Sequence, residues 1–469
     1  MIKKFLTDWH IHNEDVDIAA QVPGDITDDL HRAGLIDDPY YGYNHHKTFL
    51  CTKCDYTYYS DFDADSYIEN EQEEVYLVFD GIDLFADIYL NGVLLGSTEN
   101  MFHAYRFNVG SIVKEKGNHL IVDMHSTTTR METMDCKEYF GVFNIPRVLM
   151  RKEQCSFGWD WAANIPGYGI WKDVYLEKMP KERIETVRYI AGDDKTAVLI
   201  AEVNYCYRSY FDYYGNFTEV KKPHHDQLRF SLSSKPGDTM TAPLVKTIEV
   251  NTKRHFVTFD CPDAKLWWPA GYGEQPIYPY RVELIRDGQT ISTKDGRLAF
   301  RTVELLQKPY PDDRIGFRFR INHCDIYARG SNWVPIDCFT GTIQDQKYIR
   351  LLHQAKDASY NMLRVWGGGI YENDIFYDTC DKLGIMVWQD FMLACAEIPD
   401  DDEKWVKNIC EECEYQVKRL RNHPSIVYWT GGNEKAESVA KMQKYGDKFI
   451  DIYLRGKIQK PKNFLSVMS

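Results

Sequence analysis

No run in this chain approaches the ~20 apolar residues needed to span a bilayer. The opening Met1-Ile-Lys-Lys-Phe-Leu is broken by Asp8 and His10 before it could act as a signal peptide. A cytosolic protein with no membrane partner is the expectation. Positive charge is also in short supply: 56 lysines and arginines face 70 acids, for a net charge of −14. That balance argues against nucleic acid or an anionic membrane as partner and suits a neutral substrate. Metal-ligand patterns are scarce. Cys51-Thr-Lys-Cys54 is a lone C-x-x-C pair among β-type residues, with no second such pair or His pair at ligand spacing, so zinc or redox use is the minority reading. No metal and no cofactor are expected. In a reducing compartment the 12 cysteines read as reduced core residues.

Aromatic residues, in contrast, are plentiful, at 14% of the chain with 11 Trp and 32 Tyr. Such an excess suits packing on the apolar faces of sugar rings and equally suits β-rich cores, where most of these rings must be structural. The 469 residues are too many for one core and lead us to expect about three domains.

From the N-terminus to residue 179 the pattern is all-β. Glu74–Asp80, Ala86–Leu90 and His119–Met124 read as strands, and Asn91-Gly92 is a hairpin turn because both residues tolerate positive φ. Many short strands imply a sandwich, of jelly-roll or immunoglobulin type. Within it lies Phe157-Gly-Trp-Asp-Trp161. A carboxylate wedged between two indoles would be costly to bury unpaired, so Asp160 needs hydrogen-bond donors. A backbone turn or an arginine would serve, and so would sugar hydroxyls. Residues 180–302 form a second β region, in which Leu266-Trp-Trp-Pro-Ala-Gly-Tyr-Gly273 reads as packing between domains and Tyr205–His225 as an extended hairpin.

After Phe300-Arg-Thr-Val-Glu304 the rhythm changes to alternating β and α, the mark of parallel βα units. Ile326–Pro335 is read as the first strand with its loop, Asn361–Trp366 as the second and Ile385–Asp390 as the third. Thr342 and Asp345 make a weak capping box ahead of a helix with Tyr348, Leu351, Leu352 and Ala355 on one face. Ile375, Phe376, Thr379, Cys380 and Leu383 line the next helix, which Gly384 ends, and Trp405, Ile409, Cys413, Val417 and Leu420 line the third. The fourth strand is Ile426-Val-Tyr-Trp429, bounded by Pro424 and by Gly431-Gly432, with Asn433-Glu434 following at once. A carboxyl group at the carboxyl end of a barrel strand is where (β/α) barrels keep catalytic residues, although a lone Asn-Glu would also serve to open a helix.

Arg421-Asn-His-Pro-Ser-Ile-Val with Asn433-Glu434 resembles the retaining glycosidases of family 2. Leu363-Arg-Val-Trp-Gly-Gly-Gly-Ile-Tyr-Glu372 and Ser156-Phe-Gly-Trp-Asp-Trp161 resemble its β-mannosidase branch. The resemblance runs from Pro23-Gly24 to Glu434. It implies a jelly-roll sugar-binding domain (1–179), an immunoglobulin-like sandwich (180–302) and the N-terminal part of a (β/α)8 TIM barrel (303–469). It also implies an exo-acting retaining hydrolase of terminal β-mannosides, with Glu434 as acid/base and its pKa raised by burial or a neighbouring carboxylate. Asn433 would hold the sugar's 2-hydroxyl, Trp366 would wall the pocket, Asp160 would hold hydroxyls of the terminal sugar with Trp161 beside it, and Arg364 would orient carboxylates. Asp390 is either a substrate contact or a helix-capping or arginine-paired carboxylate.

The chain departs from the family in several places. A retaining mechanism needs a second carboxylate ~5 Å from the acid/base, and the family takes it from the seventh strand of a barrel of ~250 residues. After Glu434 the only acids are Glu437, Asp447 and Asp451, and none ends an apolar run, so the nucleophile is expected to be absent from this chain. Glu434 also lacks the tryptophan that related enzymes place after it, and Glu397 replaces an apolar residue. The expectation is half a barrel, from a truncated or frameshifted gene product, a deliberately shortened chain or a split enzyme. Its exposed strand edges would invite a complementing polypeptide or self-association. Within the class, a β-glucosaminide or β-galactoside is the alternative substrate. Outside it, the alternative is an inactive carbohydrate-binding or scaffold protein.

Overall fold

The computed structural model describes residues 2–136, 139, 141–143, 146–204, 209–211, 217–219, 225–307 and 316–434. Two antiparallel sheets come first. One runs in the order Asp17–Ala20, Trp9–His12, Tyr56–Phe62, Asn118–His125, Phe85–Leu90, Val93–Thr98, and the other in the order Ile2–Phe5, Val174–Pro180, Glu73–Phe79, Tyr105–Asn108. Alternation along these strands turns one set of side chains inward, and Trp9, Tyr58, Phe79, Ile88, Val122 and Leu176 fill the jelly-roll core. Asn91 and Gly92 do form the turn between Phe85–Leu90 and Val93–Thr98, at φ of 53° and 81°. Cys51 lies at the end of a helix, Asn44–Cys51, which corrects its β assignment. Of the cysteines, all free among the described residues, Cys155, Cys380, Cys395 and Cys413 are buried, whereas Cys54 and Cys324 are exposed and are not core residues.

The second sandwich is immunoglobulin-like. Arg183–Ala191, Thr196–Asn204 and Arg254–Asp260 face a sheet ordered Leu244–Glu249, Asp226–Leu232, Tyr278–Arg286, Gln289–Leu298, around Leu199, Phe230, Phe259 and Val282. Ser209–Phe211 pairs antiparallel with Phe217–Glu219, in keeping with a hairpin in this stretch.

The change to βα units comes later than expected. Val303–Leu306, Arg318–Ile321 and Cys324–Ile326 form a three-stranded antiparallel sheet, closed by a turn at Asn322 and His323, with φ of 48° and 65°. Ile326 therefore belongs to this sheet and not to the first parallel strand. The parallel part follows as β1 (Gly330–Trp333), α1 (Asp345–Asp357), β2 (Met362–Val365), α2 (Asp374–Leu383), β3 (Met386–Asp390), α3 (Glu403–Leu420) and β4 (Ile426–Thr430), with the strands in sequential order. This is four strands' worth of a (β/α)8 barrel. Thr342 does not cap α1. It lies in a short 3-10 turn with its hydroxyl on the Phe339 carbonyl, and Gln344 holds the cap position without a side-chain bond.

Period-2 alternation splits the strands between two cores. Leu363, Val365 and Val387 pack outward on Tyr348, Leu352, Phe376, Cys380, Ile409 and Leu420 of the helices. Met362, Met386, Trp388 and Tyr428 pack with Phe319 and Ile321 of the antiparallel sheet and with Trp267 of the second sandwich. Trp267 is fully buried, and its indole N–H donates to the Asp381 carbonyl at 2.9 Å, so the 266–273 loop joins the two domains. Gly384 completes that junction. It ends α2 at φ 74°, and an added Cβ would come within 2.7 Å of the Ala270 nitrogen. Gly384→Ala should therefore cost about 1–2 kcal/mol for the left-handed backbone alone. A fall in urea midpoint without a change in slope is the expected reading, and an unchanged midpoint would remove Gly384 from this role.

None of the helices in the described residues is long and apolar enough to cross a membrane.

Candidate active site

The carboxyl ends of β2, β3 and β4 bring Arg364, Asp390 and Asn433 together. Arg364 forks onto Asp390, with Nε on Oδ1 at 3.2 Å and Nη2 on Oδ2 at 2.7 Å. Nη2 also donates to the Asn433 Oδ1 at 2.9 Å. A third bond to Asp390 comes from the Gly367 N–H, at 3.1 Å on Oδ2. Glycine is required at 367 because a Cβ would lie 2.7 Å from the Phe391 carbonyl oxygen and 2.8 Å from that of Leu393. Asp390 is fully buried, and burial raises its pKa against the opposing pull of Arg364. The arrangement favours the arginine-paired alternative for Asp390: its carboxylate fixes the guanidinium, and it is closed to direct contact with a ligand.

Asn433 and Glu434 follow β4 through a short extension of the sheet. The Asn433 N–H donates to the Leu393 carbonyl at 2.8 Å, and the Asn433 carbonyl accepts from the Cys395 N–H at 2.9 Å. Cys395 also joins the two side chains. Its sulfur accepts from Asn433 Nδ2 at 3.2 Å and donates to Glu434 Oε2 at 3.3 Å. Burial, with the Glu434 carboxylate beside it, pushes the thiol up to about 11, so it is a protonated donor at neutral pH. Glu434 holds φ of 52°, in the left-handed region. Glu434 is exposed, so the burial expected of it is not found.

Trp366 continues β2 and lies folded over Gly368, whose missing Cβ would fall 1.9 Å from the ring. Trp159 and Trp161 meet it edge-on, with centroids at 5.2 and 5.5 Å. Both come from the jelly roll, where the Trp159 N–H donates to the Ala162 carbonyl at 3.0 Å. That bond makes Asp160 and Trp161 the central residues of a tight turn. Asp160 is accordingly exposed, not wedged and buried between the indoles.

The jelly roll is pinned to the barrel by groups that pattern reading did not single out. The Cys155 N–H donates to the Gly368 carbonyl at 2.9 Å. Arg147 lies buried with Nη1 on the Ala394 carbonyl at 2.9 Å and its guanidinium 4.8 Å from the Trp159 ring. Arg151 forks onto Glu412 of α3 at 2.8 and 2.7 Å, and Glu412 also accepts from Asn100 Nδ2 at 3.0 Å and the Tyr371 hydroxyl at 2.9 Å. No sequence signal marks these pairs, whose partners stand up to 312 positions apart.

Asp378, Asp381 and His423 are the one grouping among the described residues with metal-ligand spacing. Arg297 pairs with Asp378, while Asp381 takes His423 Nδ1 at 2.7 Å and the Ser425 N–H at 2.9 Å. These bonds account for the cluster as a brace beneath β4. Glu437, Asp447 and Asp451 lie outside the described residues.

Two family models match the chain: the glycosyl hydrolase 2 galactose-binding domain-like model over residues 9–172, and the glycosyl hydrolases family 2 TIM barrel domain over residues 318–455. Rat β-mannosidase is 34% identical over 443 residues, covering 91% of this chain and 49% of that protein. Aspergillus clavatus β-mannosidase B is 33% identical, covering 88% and 48%. The crystal structure of a β-D-mannosidase from Dictyoglomus thermophilum superposes with a TM-score of 0.82 at 34% identity, covering 98% of this chain and 57% of that one. The chain spans about half the length of the curated relatives it matches.

Proposed function

From the premise that the chain belongs to glycosyl hydrolase family 2, β-mannosidase branch, we propose that it carries the acid/base half of a retaining exo-β-mannosidase site. The observation that supports this most directly is the meeting of two elements: the Trp159–Trp161 turn of the jelly roll rests on Trp366, at the strand ends that carry Asn433 and Glu434. In the family such a turn, laid across the barrel mouth from another domain, goes with exo-action, and that resemblance supports the exo reading here. The domain reading that goes with it is 1–179, 180–302 and 303–469.

In this proposal Glu434 protonates the leaving oxygen, and the Cys395 thiol orients its carboxyl. Asn433 is held by Arg364 and Cys395 and keeps one amide N–H for the 2-hydroxyl. Trp366 and Trp161 pack on the sugar ring, and Asp160, exposed at the turn, accepts from its hydroxyls. Asp390 acts through Arg364 as a positioning residue. The attacking carboxylate of a retaining mechanism is assigned to none of the described residues.

The test is hydrolysis of aryl β-mannoside, beside aryl β-galactoside and β-glucosaminide, by the purified 469-residue chain. Turnover of the mannoside above the other two is the expected result if this chain carries a complete site. Preference for another glycoside would overturn the mannoside assignment, and inertness towards all three would support a fragment that lacks its nucleophile or a carbohydrate-binding protein.

A further inference from the structure

The helix Asn44–Cys51 of the jelly roll tightens as it ends. The Thr52 N–H donates to the Phe49 carbonyl at 3.3 Å, the Lys53 N–H to that of Leu50 at 3.2 Å and the Cys54 N–H to that of Cys51 at 3.4 Å. Three successive bonds of this i→i+3 kind are 3-10 geometry, in which side chains three positions apart eclipse one another. Cys51 and Cys54 are such a pair. The bond that closes their turn holds the two Cα atoms within about 7 Å, and disulfides bridge Cα atoms about 4.4–6.8 Å apart. Both cysteines are free, Cys54 exposed and Cys51 half-buried.

Side chains from elsewhere in the domain fix this turn. The Thr52 carbonyl accepts from Ser126 Oγ at 2.7 Å, the Lys53 carbonyl from Thr129 Oγ1 at 3.0 Å, and the Cys54 carbonyl from the Tyr168 hydroxyl. A turn held in this way keeps its two sulfurs as neighbours and lowers the entropy lost on joining them. The electrostatics also work against two separate thiolates. Cys51 is the last residue of its helix, at the negative end of the dipole. Burial pushes its thiol up, and the Cys54 sulfur beside it adds to the push. The ammonium that stands between them in sequence, on Lys53, is taken by Glu132 at 2.6 Å. A pair whose reduced form gains nothing from thiolate stabilisation favours the disulfide, the reverse of strongly oxidising C-x-x-C sites. Among the described residues no third ligand joins the pair at metal-binding distance, so the geometry supports exchange and not zinc.

We propose that Cys51 and Cys54 form a thiol–disulfide exchange site, which closes to a disulfide within the turn on reaction with a small-molecule disulfide of the glutathione type. Cys54, the exposed member, attacks first. Its thiolate bonds to one sulfur of the oxidant, and the other sulfur leaves as the thiolate of a first glutathione. The Cys51 thiolate then attacks the Cys54 sulfur and displaces the second glutathione. The two cysteine protons end on the two glutathione thiols, and the two electrons that reduce the oxidant come from the pair. No residue assigned to the sugar takes part.

The test is to incubate the reduced 469-residue chain with glutathione disulfide, block the remaining thiols with iodoacetamide and map tryptic peptides by mass without reduction. Trypsin cuts after Lys53, between the two cysteines, so a disulfide holds peptides 48–53 and 54–106 together. They should be recovered joined, with the loss of both alkylatable thiols and no glutathione retained, and dithiothreitol should restore both thiols. Cys51→Ser removes the resolving thiol, and Cys54 should then keep glutathione as a mixed disulfide. Cys54→Ser changes only an exposed position and should leave Cys51 largely alkylatable, because the half-buried thiol has lost the member that attacks first. A native chain in which both cysteines still alkylate, or in which Cys54 retains glutathione as in Cys51→Ser or cross-links to a second chain, overturns the proposal. None of these readings uses catalytic activity, so the outcome is separate from that of the mannoside assignment.

Discussion

Glu412→Leu is expected to destabilise the protein by about 3–5 kcal/mol, the usual result of removing one partner from a buried ion pair. Glu412 and Arg151 are both essentially inaccessible to water, and the carboxylate also satisfies Asn100 and Tyr371. Its removal strands a buried cation and two polar groups at once. The loss should appear as a lower thermal and urea midpoint. It should also speed proteolysis near residues 151–165, because Arg151 ties the segment that leads to the Trp159–Trp161 turn to α3. Arg151→Met combined with Glu412→Leu should recover much of the loss, since a packed apolar pair avoids the desolvation cost. An exposed ion pair between the same domains gives the contrast. Lys404 and Glu99 are 2.7 Å apart with side chains 77% and 42% exposed, and Lys404→Ala should change stability by less than about 1 kcal/mol. Equal effects at the two sites would show that the joint between jelly roll and barrel does not depend on the buried pair.

What the sequence revealed and what it hid follow from how far each interaction reaches along the chain. The turn at Asn91-Gly92, the end of α2 at Gly384 and the apolar face of α3 depend on residues within a few positions, and all three are found where pattern reading places them. Strands β2, β3 and β4 were legible for the same reason, as short apolar runs between turn signals, whereas β1, Gly-Ser-Asn-Trp, has no apolar run and its start was placed too early. The antiparallel sheet ahead of them was not recognised. Its Asn322-His323 turn carried a usable signal in two adjacent residues that tolerate positive φ, but the rhythm of the following βα units masked it.

At the candidate site, motif resemblance singled out Trp366, Asn433, Glu434 and the Trp-Asp-Trp turn, and left the environment of each to be found. Asp160 was expected to need burial partners because it lies between two tryptophans in sequence. A turn closed by Trp159 and Ala162 puts the intervening side chains outside instead. Cys395 and Arg147 had no pattern to mark them, because what distinguishes them is a partner far away in sequence.

In a chain that turns over aryl β-mannoside, Glu434→Gln should lower kcat by about 10²–10⁴-fold on substrates with alkyl or sugar leaving groups, the range that general acid catalysis supplies. The loss should shrink as the leaving group becomes more acidic, since a good leaving group departs without a proton. Binding should persist, because the amide keeps the shape of the side chain and its place beside the Cys395 sulfur. Two further readings separate a lost acid/base from a distorted pocket. Added azide should restore turnover of activated substrates, with a glycosyl azide as product, because an anion needs no base to attack the glycosyl-enzyme. The basic limb of the kcat/KM profile, which reports the proton on the acid, should also disappear. Cys395→Ala provides the comparison. Removing the thiol leaves the carboxyl in place but loosens its aim, so kcat should fall by about tenfold, the worth of one hydrogen bond, with the basic limb retained and no response to azide. If Glu434→Gln behaved in that second way, with its pH limb intact and no rescue, the acid/base role would pass to another carboxyl and Glu434 would be left orienting the sugar.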